Sequence, residues 1–256
     1  MTAELLVAGA FCAAAVLGLV FVRRRIPLAQ LMEHHEVAGV CFAVVGGLYG
    51  IILAFVLVSS WERYELARAQ TEFEANAAGD LFRHSEAMTE PSRSRLGRAL
   101  IAYVQSVIVD EWPAMFDGHS SDVTRERYLA VWQAVIDARP KEAWEVALYQ
   151  ASLGKLDDLS DGRRHRIFYI ESGLPDIIWI FLVLFGVATV AFTYFFGMPR
   201  LMPQVVITVV LAATIAWTLV LVRETQTPFS GGLRVSDRAF RLTLEFMQNR
   251  IVPSDQ

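Results

Sequence analysis

Four uninterrupted apolar runs, each long enough to cross a bilayer, decide most of what this chain can become. They lie at about residues 4–22, 37–60, 175–197 and 201–222. A helical span needs about 20 apolar residues. In lipid every backbone N–H and C=O must be satisfied within the segment, so runs of this kind fold as helices. The first run reads as a retained transmembrane helix rather than a cleavable leader, because its only arginines, Arg23, Arg24 and Arg25, follow the apolar stretch rather than precede it. Composition agrees, with 54% hydrophobic residues against about 45–50% in soluble domains.

The runs are unevenly placed. Residues 1–60 form one transmembrane hairpin and 174–222 a second, with a polar stretch at 61–173 between them and a tail at 223–256. Four spans put the N-terminus, the central region and the tail on one side. The short loops at 23–36 and 198–200 fall on the other. Most of the Lys and Arg near span ends, from Arg63 and Arg68 to Arg234 and Arg241, lie on the domain side, which points to a cytoplasmic central domain and cytoplasmic termini. The Arg23–Arg25 cluster pulls the other way. A net charge of −4 argues against nucleic-acid binding. Cys12 and Cys41 sit in apolar runs and give neither a disulfide framework nor metal-ligand spacing.

The central region reads as helical. From Trp61 to about Met88 there is no proline, and Tyr64, Phe73, Ala77 and Leu81 recur at near-heptad steps, so the second span is predicted to continue as one long helix. Its charges, among them Glu62, Glu65, Glu72, Glu74 and Asp80, read as a solvated or inter-subunit face. Their excess argues against strict anion selectivity, although Arg63, Arg68 and Arg83 are interleaved. Asn76 is either a register-setting residue or an ordinary surface one. Pro91 marks a turn. The next helix carries Leu96, Leu100, Tyr103, Val104, Val107 and Trp112 on one face. Ser121 or Asp122 is placed to cap a helix bearing Tyr128, Val131 and Trp132. A last helix at about 141–170 returns to the membrane, and an amphipathic one starts near Ser236. No strand-like alternation is present. The fold class is all-α: four transmembrane helices with a helical extramembrane domain inserted between the second and third.

The second span carries two patterns. Gly39, Ala43 and Gly47, and likewise Gly46, Gly50 and Ala54, are small residues four apart. Such series let helices approach closely in lipid, either within a chain or between chains. On another face Cys41, Val45, Leu48, Ile52, Phe55 and Ser59 form a stripe with a period near 3.5, followed by Arg63. The stripe either meets lipid and neighbouring spans or walls a pore with Leu48, Ile52 and Phe55 as a dewetting constriction.

Catalytic and metal chemistry find little support. In "EHHE" at 33–36, His34 and His35 are adjacent and point about 100° apart on a helix, a poor arrangement for one metal. The motif reads as a polar cap of the second span, with a pH-sensing pore entrance as the functional alternative. His84, His119 and His165 are scattered, and no nucleophile is spaced with a base. No enzyme is expected.

The segments "LAQLMEHHEVAGVCFAVVGGLYGIILAFVLVSSWERYELARAQTEFEANAAGDLFR", "EWPAM", "SGLPDIIWIFLVLFG" and "TPFSGGLRVSDRAF" together resemble the bacterial bestrophin-like family, also described as domain of unknown function 4239. That resemblance implies a likeness to bestrophins, which are pentameric anion channels with four spans per subunit, cytoplasmic termini and a pore lined by the second span. It implies a homo-oligomer in a bacterial inner membrane, with the lipid bilayer and inorganic ions such as chloride as partners. Bestrophins clasp calcium with an acidic cluster after the fourth span. Here Pro228 and Phe229 are followed by Ser230, Gly231 and Gly232, so no cofactor is expected. The expected function is a bestrophin-like ion channel, with anions favoured by the family likeness. A non-conducting membrane scaffold or stress-sensing module, whose helical domain binds a cytoplasmic partner, is the rival.

Overall fold

The computed structural model describes residues 2–33, 35–171 and 173–251. Among them every regular element is helical. The helices are α1 (Thr2–Arg25), α2 (Leu28–Glu33), α3 (His35–Ala87), α4 (Ser92–Ser106), α5 (Trp112–Phe116), α6 (Asp122–Ile136), α7 (Ala143–Glu171), α8 (Asp176–Phe192), α9 (Leu201–Gln226) and α10 (Arg238–Ile251). A π-helical segment, Val107–Glu111, joins α4 to α5, and a 3-10 turn, Thr193–Phe195, extends α8. The chain divides into two compact units, Met1–Glu62 with Leu174–Gln226, and Arg63–Gly173 with Thr227–Gln256.

The first unit holds four helices long and apolar enough to cross a membrane, one of them the opening portion of α3. Its small core joins Ala15, Tyr49, Leu53, Leu182, Val190, Ala212 and Ile215. Bundles in lipid gain nothing from hydrophobic burial between helices and rely on close fit. Close fit is what the unit shows. A Cβ on Gly186 of α8 would stand 2.8 Å from the Tyr49 hydroxyl, and one on Gly18 of α1 would stand 2.8 Å from that of Tyr194. Tyr49 completes its contact by donating to the Leu182 carbonyl at 3.1 Å. Threonine hydroxyls are satisfied locally: Thr189 donates to the Phe185 carbonyl, Thr218 to that of Thr214 and Thr225 to that of Leu221. Gln204 binds the carbonyls of Thr193 and Tyr194, and Arg23 reaches the Met198 carbonyl at 2.8 Å. The short helix α2 was not foreseen within the loop after the first span.

The second unit is helical and has an ordinary apolar core. Leu81, Phe82, Leu96, Leu100, Val104, Val131, Leu156, Leu159, Phe240 and Met247 are all buried in one cluster. Each fully buried side chain of this kind contributes about 1.5–3 kcal/mol. Ser121 caps α6, accepting from the Thr124 N–H at 3.4 Å. The sequence expectation of one regular helix through Trp112 is corrected by the π segment. Pro113 has no N–H, and its ring crowds a carbonyl one turn back. The wider turn, in which the Trp112 N–H donates to the Val107 carbonyl, accommodates it. The Pro228–Phe229 corner buries Phe229 with Ala67, Met115 and Val235, and α10 follows.

Candidate functional site

Two places in the molecule carry more than packing: the membrane portion of α3 and a buried group of charges in the second unit.

On α3, residues that meet the rest of the first unit include Phe42, Gly46, Tyr49, Leu53 and Val56, at steps of four and three. Phe42 meets the Phe196 ring edge-on with centroids 5.5 Å apart, and a Cβ on Gly46 would lie 3.6 Å from Thr189. Tyr49 and Leu53 are buried, Val56 packs against their cluster, and Ser60 is buried too. Among the described residues, much of the remaining surface of this apolar helix is exposed. Leu48 is 59% exposed, Ile52 37% and Phe55 72%. Val40, Val44, Ile51 and Val58 are exposed as well, as is Ser59, while Val45 is half-buried.

The small residues divide. A Cβ on Gly39 or Gly46 would lie 3.8 or 3.6 Å from a side chain of the same unit. A Cβ on Gly47 or Gly50 would meet nothing within 4 Å, and Ala43 and Ala54 are exposed. Arg63, expected at a pore mouth, is half-buried with its guanidinium 5.1 Å from the Tyr169 ring centre, and burial lowers its pKa from the ordinary arginine value. His34 lies outside the described residues, as does the side chain of His35. Among the described residues no group of three or more His, Cys, Asp and Glu is placed to hold a metal ion. Asp237, the nearest substitute for a calcium ligand, is engaged by Arg241, whose Nε donates to it at 2.7 Å. Asn76 is exposed.

The buried charges were missed by the sequence reading, which placed Glu74 on a solvated face. It is fully buried. Arg166 of α7 grips it with two hydrogen bonds, Nε to Oε2 at 2.6 Å and Nη2 to Oε1 at 3.0 Å. The Tyr103 hydroxyl of α4 donates to the same carboxylate. Glu111, from the π segment, accepts from Arg163 at 2.8 Å, while its other oxygen stands 3.8 Å from Arg166. That oxygen has no hydrogen-bond partner. The Arg166 guanidinium lies 5.7 Å from the Trp112 ring centre and 5.6 Å from that of Phe240.

Electrostatically the group is two guanidiniums against two carboxylates. Burial alone disfavours the Arg166 charge, but Glu74 outweighs it and the pKa rises above the ordinary value. Burial, with Glu74 beside it, pushes the Tyr103 hydroxyl well above its ordinary range, so it stays a donor. Such a pair is weak evidence for net stability, yet removing one member strands a buried charge. The helices meet closely enough for this only because α7 carries glycine at 162: a Cβ there would lie 2.8 Å from Glu74 Cβ and 2.9 Å from its Cα. The group is sealed from solvent, so it can hold α3, α4, α7 and the π segment in one arrangement but cannot meet a substrate. One signal in the sequence could have found it. Glu74 falls on the same line of α3 as Ala67, Thr71, Ala78 and Leu81, where a charge needs a partner.

A profile of the bestrophin-like domain matches residues 9–240. No curated protein matches the chain. Among solved structures, a variant of a bacterial bestrophin homologue from Klebsiella pneumoniae is similar with a TM-score of 0.73 and 16% identity, over 96% of this chain and 99% of that one. Another structure of a bestrophin homologue from that organism is similar with a TM-score of 0.71 and 16% identity, over 94% and 97%.

Proposed function

With the chain a member of the bestrophin-like family, we propose that it is an oligomeric ion channel whose conducting path is lined by the membrane portion of α3. The observation that carries this reading is the uncovered surface of that helix. Among the described residues a single chain packs one face of this portion of α3 and leaves Val40, Val44, Leu48, Ile51, Phe55 and Val58 exposed. Lipid alone could cover them. The small residues Ala43, Gly47, Gly50 and Ala54, open along one flank, are better suited to a second helix than to acyl chains.

In this reading copies of the chain form a closed ring, a pentamer by likeness to bestrophins, in a bacterial inner membrane. The second unit and both termini lie in the cytoplasm, as the distribution of Lys and Arg favours. The stripe of Val45, Leu48, Ile52, Phe55 and Ser59 borders the path, with Arg63 beyond it. His34 and His35 belong to the opposite entrance. Bulky apolar side chains narrow such a path enough to expel water. Anions, chloride among them, are the ions the bestrophin likeness favours. Family membership also sides against an enzyme.

Recording from purified oligomer in planar bilayers under a chloride gradient tests the proposal. A current whose reversal potential follows an ion gradient is expected. A silent bilayer from verified oligomer between pH 5 and 8 would sink the channel and leave the scaffold, whose helical domain binds a cytoplasmic partner.

A further inference from the structure

The loop-side end of the first unit holds an apolar cleft, whether or not the protein conducts. Its walls are pinned by close contacts. A Cβ on Gly197 would stand 2.8 Å from the Leu31 carbonyl carbon and 2.8 Å from the Met32 nitrogen, so α2 rests directly on the chain that follows α8. Leu31 is buried. Phe42 of α3 meets Phe196 edge-on, with ring centroids 5.5 Å apart, which ties the start of α3 to the same stretch. Ile26, Leu31, Val37, Phe192 and Phe195 wall a cleft of about 610 Å³ beside these contacts. Of the described residues that line it, only Gln30 and Cys41 bring a polar side chain.

The cleft belongs to a unit whose four long helices are apolar enough to cross a membrane. Cys41 lies six residues into α3 from His35, about 9 Å along the helix. The cleft therefore reaches from the membrane interface into the hydrocarbon. Its volume is of the size that holds one small apolar ligand, and walls this apolar give water few partners.

Positive charge dominates beside it. Arg24 and Arg25 are exposed and immediately precede Ile26. Arg25 stacks on Phe21, 5.0 Å from its ring centre. Stacking uses the face of a guanidinium and leaves its edge for hydrogen bonds. Arg23 is engaged with the Met198 carbonyl at 2.8 Å. The two short loops hold four arginines, Arg23, Arg24, Arg25 and Arg200, against two carboxylates, Glu33 and Glu36. In the orientation favoured by the other Lys and Arg, this cluster is on the side where cations are ordinarily sparse. A local anionic ligand accounts for it.

We propose that the cleft seats one acyl chain of an anionic phospholipid, with the phosphate held by Arg24 and Arg25. A zwitterionic lipid of the same chains fits the cleft but carries no net charge for the arginines. Two arginines beside an anionic headgroup should favour it by roughly ten- to thirty-fold at low salt, and by less at high salt.

To test this, delipidated full-length protein in mild detergent is titrated with phosphatidylglycerol or phosphatidylcholine of identical chains, and bound lipid is counted by native mass spectrometry. Wild type should prefer phosphatidylglycerol. Arg24→Gln combined with Arg25→Gln should cut that preference several-fold and leave phosphatidylcholine binding as it was. Ala38→Trp fills the cleft and should remove the preferred lipid although both arginines remain. No preference in wild type, or a preference that survives both variants, overturns the proposal. So does a folded Ala38→Trp that loses an oligomer formed by wild type, because a neighbouring copy then fills the cleft.

A second readout leaves the cleft as it is. Cys41 is exposed, and in Cys12→Ser protein phosphatidylglycerol should slow its alkylation by N-ethylmaleimide several-fold more than phosphatidylcholine does. Arg24→Gln with Arg25→Gln should abolish the difference. Equal rates with the two lipids in otherwise native protein would refute the seat in this cleft.

Discussion

Gly162→Ala is a substitution whose sign, not only its size, depends on the packing described above. In an exposed helix interior, glycine to alanine gains about 1 kcal/mol of stability. Gly154, two turns earlier on α7, is such a site: it is exposed, and an added Cβ would meet nothing within 4 Å. At Gly162 the added carbon would stand 2.8 Å from Glu74 Cβ, 2.9 Å from its Cα and 3.1 Å from its backbone nitrogen. Carbon atoms sit comfortably at about 3.5–4.0 Å. The two helices must therefore part by about 0.7 Å, and the neighbour is backbone, which cannot swing aside. Overpacking of this kind costs about 1–3 kcal/mol. The same movement stretches the bonds from Arg166 to Glu74, now 2.6 and 3.0 Å long, and charged hydrogen bonds are each worth about 1.5–3 kcal/mol. Set against the helix-propensity gain of about 1 kcal/mol, the net is a loss of roughly 1–3 kcal/mol. Thermal and urea unfolding of purified full-length protein in mild detergent, followed by far-ultraviolet circular dichroism, would compare the two variants. Gly154→Ala should unfold at or above wild type and Gly162→Ala below it. Equal gains in both would refute the close approach of α7 to α3.

Other consequences can be checked in the same preparation. Glu74→Ala leaves the Arg166 charge buried with Glu111, 3.8 Å away, as its remaining carboxylate, and should destabilise by about 3–5 kcal/mol in urea melts. Tyr103→Phe removes one donor from the Glu74 carboxylate and should cost about 1–2 kcal/mol, with no change in the spectrum of the folded state. His84 is held below its ordinary pKa by burial, with Asp80 opposing and Lys155 assisting. The folded state thus prefers the neutral ring; its contribution is complete above the unfolded value of about 6.5 and is lost as pH falls below it. The melting temperature should drop between pH 7.5 and 5.5, and His84→Gln should flatten that part of the profile. Glu62 is exposed and lies on the same line of α3 as Val58. If the channel conducts, Glu62→Gln should raise the chloride-to-cation permeability ratio by about two-fold at low salt and by less at high salt, read from reversal potentials.

What the sequence made legible follows from which signals are local. The four spans announce themselves because lipid demands long apolar runs and nothing else in a chain looks like one. Ser121 as a cap was readable, since a short polar side chain before an apolar-periodic run has one efficient use. The π segment was not, because Pro113 one turn into a helix is as compatible with an ordinary start as with a widened turn. The charge cluster was hidden for a different reason. Glu74 stands among Glu65, Glu72 and Asp80 in the chain, and nothing nearby distinguishes it from those half-buried or exposed neighbours. Its partners Tyr103 and Arg166 come from other helices, and only tertiary packing brings them in. The small residues of α3 were half legible. Spacing identified them as contact residues, but not that Gly46 meets its own chain whereas Gly47 and Gly50 meet none of it.

The separation of those partners along the chain also sets an order of events during synthesis. Tyr49 rests on a helix whose Leu182 carbonyl lies 133 residues downstream, and Glu74 awaits an arginine 92 residues downstream. Ribosomes add about 5–20 residues per second, so each newly made α3 spends roughly 5–30 s before the rest of its packed face exists. Throughout that interval a carboxylate that ends wholly buried must remain hydrated, and a membrane helix must keep its tyrosine hydroxyl supplied by water, lipid headgroups or an insertion factor. Slowing translation between codons 90 and 160 would lengthen that exposure, and the yield of folded protein should fall with it.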